Sequence, residues 1–155
     1  MDLWMDRRRF LVGTAAAVGA IAVVPLGSAS ATPEAMAEAI KKVVGNSAVT
    51  EGRVTLDLPP LIENGNTVPL VVSVESPMTV TDHVKAIHVF NEKNPQPHVF
   101  SAKLSGRNGK ATVGTRIKLG DSQKIVAIAE TSDGRFWSAS ADVIVTLAAC
   151  LEEST

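Results

Sequence analysis

The feature of this sequence that most constrains its fold is a change in hydrophobic period after Gly45. Before that residue, apolar side chains recur at helical spacing. After it, apolar and polar residues alternate in short runs separated by glycine, proline and asparagine. No second helical block follows, so the chain lacks the alternating strands and helices of parallel α/β folds. The pattern predicts an all-β domain preceded by one α-helix.

The predicted helix begins after Thr32, an N-cap residue followed by Pro33 and the acidic Glu34. Gly45 is a suitable C-cap. The apolar face consists of Ala35, Met36, Ala39, Ile40, Val43 and Val44. These signals indicate an amphipathic helix of about three turns.

The alternating runs predict seven strands, at residues 53–58, 68–75, 84–91, 98–104, 111–119, 124–131 and 136–147. Pro59-Pro60 ends the first run, and Asp133-Gly134 is a strong hairpin signal before the last. Short strands at this spacing are typical of an antiparallel β-sandwich of immunoglobulin-like size. We expect that sandwich in residues 32–147, with a C-terminal arm in residues 148–155.

The first 31 residues predict a twin-arginine signal peptide. Arg7 and Arg8 belong to a basic segment, an apolar run follows at residues 11–24, and Ala29-Ser30-Ala31 offers a cleavage site after Ala31. The apolar run would form ~21 Å of helix, which is short of a ~30 Å hydrocarbon core. We therefore expect export to the periplasm without stable membrane insertion after cleavage. An uncleaved N-terminal anchor is the alternative.

Composition argues against a nucleic-acid partner. The formal net charge is −1, aromatic residues make up 4% of the chain, and tyrosine is absent. Neither a basic surface nor a base-stacking surface is expected. Because no cofactor motif is visible, twin-arginine export suggests a folded chain that travels with a bound partner subunit.

The sequence contains none of the usual catalytic motifs. A nucleophile elbow, a glycine-rich phosphate loop and a Cys-x-x-Cys pair are all missing, so we do not expect an enzyme. His83 and His88, five apart, are predicted to point to opposite faces of a strand, and His98 begins the next one. With Met78 nearby, a copper-binding sandwich is an alternative, but we interpret the histidines as surface residues and predict no metal site.

Cys150 is the only cysteine, and it lies in the C-terminal arm. A single thiol cannot form an internal disulfide, which leaves a buried apolar role, oxidation, an intermolecular bridge or covalent attachment. The polar ending Glu152-Glu153-Ser154-Thr155 makes burial of this segment less favourable.

Several motifs together resemble the SoxY family of sulfur-oxidation carrier proteins. They are Pro60-Leu61-Ile62-Glu63-Asn64-Gly65, Val68-Pro69, Ser76-Pro77-Met78-Thr79, Asn94-Pro95-Gln96-Pro97, Thr115-Arg116-Ile117, Ala129-Glu130 and Ser132-Asp133-Gly134. The resemblance covers almost the whole chain, including the signal peptide and the N-terminal helix.

This resemblance implies a non-enzymatic immunoglobulin-like subunit that pairs with a SoxZ-like partner. It implies no cofactor apart from sulfur intermediates bound covalently to a cysteine on a flexible C-terminal arm. Cys150 matches that cysteine, which periplasmic sulfur-oxidation enzymes would load with thiosulfate-derived sulfur, process and release.

The arm departs from the family pattern. Family members usually end Gly-Gly-Cys-Gly-Gly, whereas Cys150 is flanked by Ala148, Ala149 and Leu151. Glycines allow positive φ and add no bulk inside a narrow channel, and the acidic pair after Leu151 tends to raise the pKa of the thiol. The alternative is therefore a divergent scaffold subunit that pairs with a SoxZ-like partner without carrying sulfur.

Overall fold

The computed structural model describes residues 32–149, which form one helix and nine strands in two sheets. The predicted signal peptide, with Arg7, Arg8 and Ala31, lies outside the described residues, as do Cys150 and Leu151. None of the helices within residues 32–149 is long and apolar enough to cross a membrane.

Helix α1 spans Pro33–Val44, as the sequence predicted. The Thr32 hydroxyl accepts a hydrogen bond from the Ala35 N–H at 3.2 Å, and Gly45 ends the helix with a φ of 62°. The apolar face packs on one side of a sheet, against Phe90, Ile128 and Phe136.

The nine strands form a larger and a smaller sheet. The larger sheet has the order β1–β9–β8–β5–β6, with β3 also paired to β9, and the smaller has the order β2–β4–β7. The strands are β1 Val49–Glu51, β2 Val54–Asp57, β3 Leu61–Ile62, β4 Val68–Val74, β5 Val84–Asn91, β6 His98–Lys103, β7 Ala111–Ile117, β8 Gln123–Thr131 and β9 Phe136–Val145.

The main core lies between the two sheets. Val68, Leu70 and Val72 alternate along β4 with zero exposure and belong to the same buried cluster as Ile87 of β5 and Ile125 of β8. Burial of this aliphatic surface is the main stabilising contribution that the sequence can supply. The predicted β-sandwich with one N-terminal helix is confirmed.

The structure adds two short strands that the sequence analysis did not predict. Both β1 and β3 pair in parallel with β9, through Val49 opposite Phe136 and Leu61 opposite Ile144. With three and two residues, they are too short for a period to be recognised. They cover successive parts of one edge of β9.

A register shift between Val84 and Ala86 interrupts the pairing of β5 with β8. As a result, Val84 and Ile87 both belong to the core cluster although their spacing is odd. Strict alternation therefore fails here, and it no longer supports the prediction that His83 and His88 point to opposite faces.

Candidate functional site

The described chain leads from the end of β9 to Ala149, the residue before Cys150. Beyond Val145 the chain stays hydrogen bonded to the end of β3 and to the residue that follows it. The Thr146 N–H donates to the Ile62 carbonyl at 2.9 Å, and its hydroxyl donates to the Ile62 and Glu63 carbonyls at 3.2 and 3.1 Å. The strand pairing thus continues without a regular strand.

Three backbone hydrogen bonds then join three distant segments. The Gly65 N–H donates to the Leu147 carbonyl at 2.7 Å, the Leu119 N–H donates to the Gly65 carbonyl at 2.9 Å, and the Ala149 N–H donates to the Leu119 carbonyl at 2.9 Å. We call these four residues, Gly65, Leu119, Leu147 and Ala149, the arm clasp.

The close approach of these backbones requires a glycine at position 65. A Cβ atom there would lie 2.2 Å from the Leu119 carbonyl oxygen, 2.9 Å from the Ala149 nitrogen and 3.1 Å from the Leu147 carbonyl oxygen. All three neighbours are backbone atoms, so no side chain can rotate away. Any larger residue must displace a part of the clasp.

A buried amide network holds the loop that carries Leu119. The Asn94 side chain donates to the Lys118 carbonyl at 2.8 Å and accepts from the Gly120 N–H at 3.0 Å. It also accepts from the Gln123 side-chain amide at 3.0 Å. Because Asn94 is hydrogen bonded to both chain neighbours of Leu119, it fixes the direction of the Leu119 carbonyl.

The clasp includes Ala149, which belongs to the segment where the sequence predicts a flexible arm, residues 148–155. In the structure Ala148 is exposed, but Ala149 is only 8% exposed and its N–H is bonded to the sandwich. The attachment at Gly65 and Leu119, which no local pattern reveals, is the reason for the difference.

An exposed apolar surface lies beside the clasp. Leu61 and Ile144 are 56% and 61% exposed and oppose each other in the parallel pair of β3 and β9. Leu147, within the clasp, is 60% exposed. Three large apolar side chains therefore face solvent on β3, on β9 and on the segment that follows β9.

The structure brings together two of the three histidines. His88 Nδ1 and His98 Nε2 lie 2.7 and 2.8 Å from the Ser101 hydroxyl oxygen, and His98 stacks on Phe90 at 4.9 Å between ring centroids. Burial, and then the neighbouring His98, lower the pKa of His88 below its ordinary value. The histidine pair lies next to the apolar cluster beneath α1, because Phe90 belongs to that cluster and stacks on His98.

The remaining parts of the copper hypothesis are separated from this pair. The Met78 sulfur is buried and accepts a hydrogen bond from the Val84 N–H at 3.4 Å. The His83 N–H is bonded to the Ser132 hydroxyl at 3.1 Å. Among residues 32–149, no group of three or more histidine, cysteine or acidic residues could hold a metal ion.

Gly65 and Asn94 are the site residues that the sequence analysis missed. Both lie between predicted strands, where Asn64-Gly65-Asn66 predicts a turn and Asn94-Pro95-Gln96-Pro97 predicts a loop. Each belongs to a motif that carries the family resemblance, and this was the one available signal of a role beyond the turn.

Comparison with known structures supports the fold. A structure of the sulfur carrier protein SoxY from Chlorobium limicola f thiosulfatophilum is 24% identical and has a TM-score of 0.63, with 74% of this chain and 98% of that chain covered. A superoxide reductase (neelaredoxin) from Ignicoccus hospitalis is 19% identical with a TM-score of 0.55, covering 77% of this chain and 98% of its own. At these identities, the likenesses show the fold alone.

Sequence comparison identifies the family. No curated protein sequence matches the chain significantly. A family model described as sulfur oxidation protein SoxY matches residues 40–150, a span that contains both the clasp and, as its last residue, the single cysteine. This match covers well over half of the chain, and the chain therefore belongs to the SoxY family of sulfur-oxidation proteins.

Proposed function

We propose that this protein is the sulfur-carrier subunit of a periplasmic SoxYZ-like complex, with Cys150 as the covalent attachment site. The observation that carries the proposal is the family match, which extends along the chain as far as Cys150. The sandwich is the rigid base of the carrier, and a SoxZ-like subunit is its partner. The signal at residues 1–31 would export the chain, which is itself a substrate of the sulfur-oxidation enzymes.

The attachment chemistry is an oxidation. The Cys150 thiolate and the outer sulfur of thiosulfate form an S–S bond and together lose two electrons, which the loading enzyme accepts. Hydrolysis of the terminal S–S bond with one water then releases sulfate and two protons, and one sulfur remains on Cys150 as an ionised persulfide. The thiolate is the reactive form of the cysteine in the first step.

The arm clasp supplies a fixed base for this chemistry. Ala149, the residue that directly precedes Cys150 in the sequence, is hydrogen bonded to the sandwich. Leu61 and Ile144 are exposed on the paired strands β3 and β9, and β9 leads into the anchored segment. The sandwich surface, as well as the arm, is then available for recognition.

Reconstitution tests the carrier role. The purified protein is incubated with its SoxZ-like partner, thiosulfate and the loading enzyme, and its intact mass is compared with that of Cys150→Ser. We expect a sulfur adduct on the native chain and none on the variant. An unchanged mass, in a system where a known carrier is loaded, would contradict the proposal.

One observation favours a second function, that of a scaffold that no longer carries sulfur. The residue before Cys150 is buried and anchored, and alanines stand where the family usually has glycines. Cys150→Ser separates the two functions, because a scaffold lacking the thiol should still pair with the SoxZ-like subunit and support thiosulfate oxidation. A carrier should pair with that subunit but lose the oxidation.

A further inference from the structure

We propose that Gly65 is a positioning residue that fixes where the C-terminal arm leaves the sandwich. This inference rests on the proposed function for its biological meaning, but its physical content concerns the described residues alone. Gly65 lies between β3 and β4, more than eighty positions before Ala149, and is buried against the arm. It contacts the arm only through backbone atoms, so its contribution consists of backbone hydrogen bonds and of the space left by the missing side chain.

Gly65 acts in two ways. Its N–H donates directly to Leu147, and its carbonyl accepts from Leu119, whose own carbonyl accepts from Ala149. Both attachments of the arm therefore depend on the position of one residue. The missing side chain is equally important, since a Cβ atom 2.2 Å from the Leu119 carbonyl oxygen would push that acceptor away from Ala149.

Loss of these contacts would lengthen the arm. With the clasp closed, the chain is anchored up to Ala149, so no free residue precedes Cys150. With the clasp open, the last anchored residue becomes Thr146, which remains bonded to Ile62. Three additional residues, 147–149, would then separate the thiol from the sandwich and increase its reach by roughly 10 Å. Gly65 thus sets the distance over which the thiol can extend.

The experiment compares Gly65→Ala with the native chain and with Gly109→Ala. A Cβ atom at Gly109 meets nothing within 4 Å, which makes that variant a control for the substitution itself. Amide hydrogen exchange at Leu119 and Ala149 and the rate of Cys150 alkylation by a bulky maleimide are measured. All three proteins carry the complete mature sequence.

For Gly65→Ala we expect exchange at Leu119 and Ala149 to accelerate about 30-fold, since two backbone hydrogen bonds of ordinary net strength are lost. Alkylation of Cys150 should accelerate as well. Core amides of β5 and β8 should exchange as in the native chain, which a general loss of stability would not allow. Gly109→Ala should match the native chain in every measurement.

Native rates of exchange and alkylation in a folded Gly65→Ala would overturn the proposal. If that variant does not fold, exchange in the native chain decides, because the amides of Gly65, Leu119 and Ala149 donate the three clasp hydrogen bonds. These three amides should be protected to a similar extent, since the clasp opens as one unit, and an unprotected amide at Gly65 or Ala149 would overturn the proposal. None of these readouts requires sulfur chemistry, so they stand or fail independently of the carrier role.

Discussion

Asn94 offers the sharpest test of how the clasp is supported. Asn94 is 9% exposed, and its side chain serves three partners, the Lys118 carbonyl, the Gly120 N–H and the Gln123 amide. Asn94→Ala would remove all three hydrogen bonds, although the Gln123 amide would keep its bond to the Asp121 carbonyl at 3.1 Å. The loop that presents the Leu119 carbonyl to Ala149 would lose its internal support.

The expected cost follows from the number of partners and their burial. An ordinary hydrogen bond contributes about 1 kcal/mol net, and a buried partner left unsatisfied costs about 1–3 kcal/mol. Gln123 is 5% exposed and Lys118 lies at the surface, so water can reach part of the network. We expect Asn94→Ala to lower the free energy of unfolding by about 3 kcal/mol.

Urea denaturation measures this loss, with Asn108→Ala as the matched control. Asn108 is exposed in a turn, where its side chain accepts bonds from the Ser105 N–H and hydroxyl at 2.9 and 3.3 Å. The same substitution there should cost less than about 1 kcal/mol, because water replaces the lost bonds. Equal losses in the two variants would refute the argument from burial.

Three further predictions concern other parts of the fold. Burial, and then the neighbouring His98, lower the pKa of folded His88 below 6.5, so the stabilising effect of neutral His88 should be complete above that pH and decrease as the pH falls below it. His88→Gln should therefore make the urea midpoint less dependent on pH between about pH 7 and about pH 5. Parallel pH profiles of the variant and the native chain would contradict this. Thr32→Ala should cost about 1 kcal/mol by removing the N-cap of α1, measured by urea denaturation, and no loss would show that the cap is dispensable. Leu70→Ala should cost about 2–5 kcal/mol in the same assay, because Leu70 is fully buried between the sheets, and a loss below about 1 kcal/mol would contradict the assigned core.

Local periodicity was sufficient for most of the fold. The helix could be predicted because its cap, apolar face and terminal glycine all lie within fourteen consecutive residues, 32–45. The longer strands could be predicted because alternation along β4 reports directly which side chains face the core. Neither inference requires knowledge of what lies opposite the element.

Elements defined by distant partners could not be predicted in this way. Strand β3 is two residues long and exists because it lies beside residues 144–145 of β9. The bulge near Val84 follows from its pairing with β8 rather than from any local signal. Short segments and register shifts of this kind depend on tertiary contacts that the sequence does not display.

The candidate site shows the same division. The single cysteine and its place near the C-terminus are visible in the sequence, and the family resemblance directs attention to them. The attachment of Ala149 is not visible, because Gly65, Leu119 and Ala149 are far apart in the chain and interact through backbone atoms. A glycine in an Asn-Gly-Asn turn has an adequate local explanation, which conceals its contact with the arm.

The central claim is that Cys150 carries sulfur, and the mass of the protein isolated from cells oxidising thiosulfate tests it most directly. The account predicts that part of the population bears a sulfur adduct that a thiol reductant removes and that maps to Cys150 after proteolysis. The same chain from cells grown without a sulfur substrate should have the unmodified mass. An unmodified Cys150 in cells that are actively oxidising thiosulfate through this complex would contradict the account.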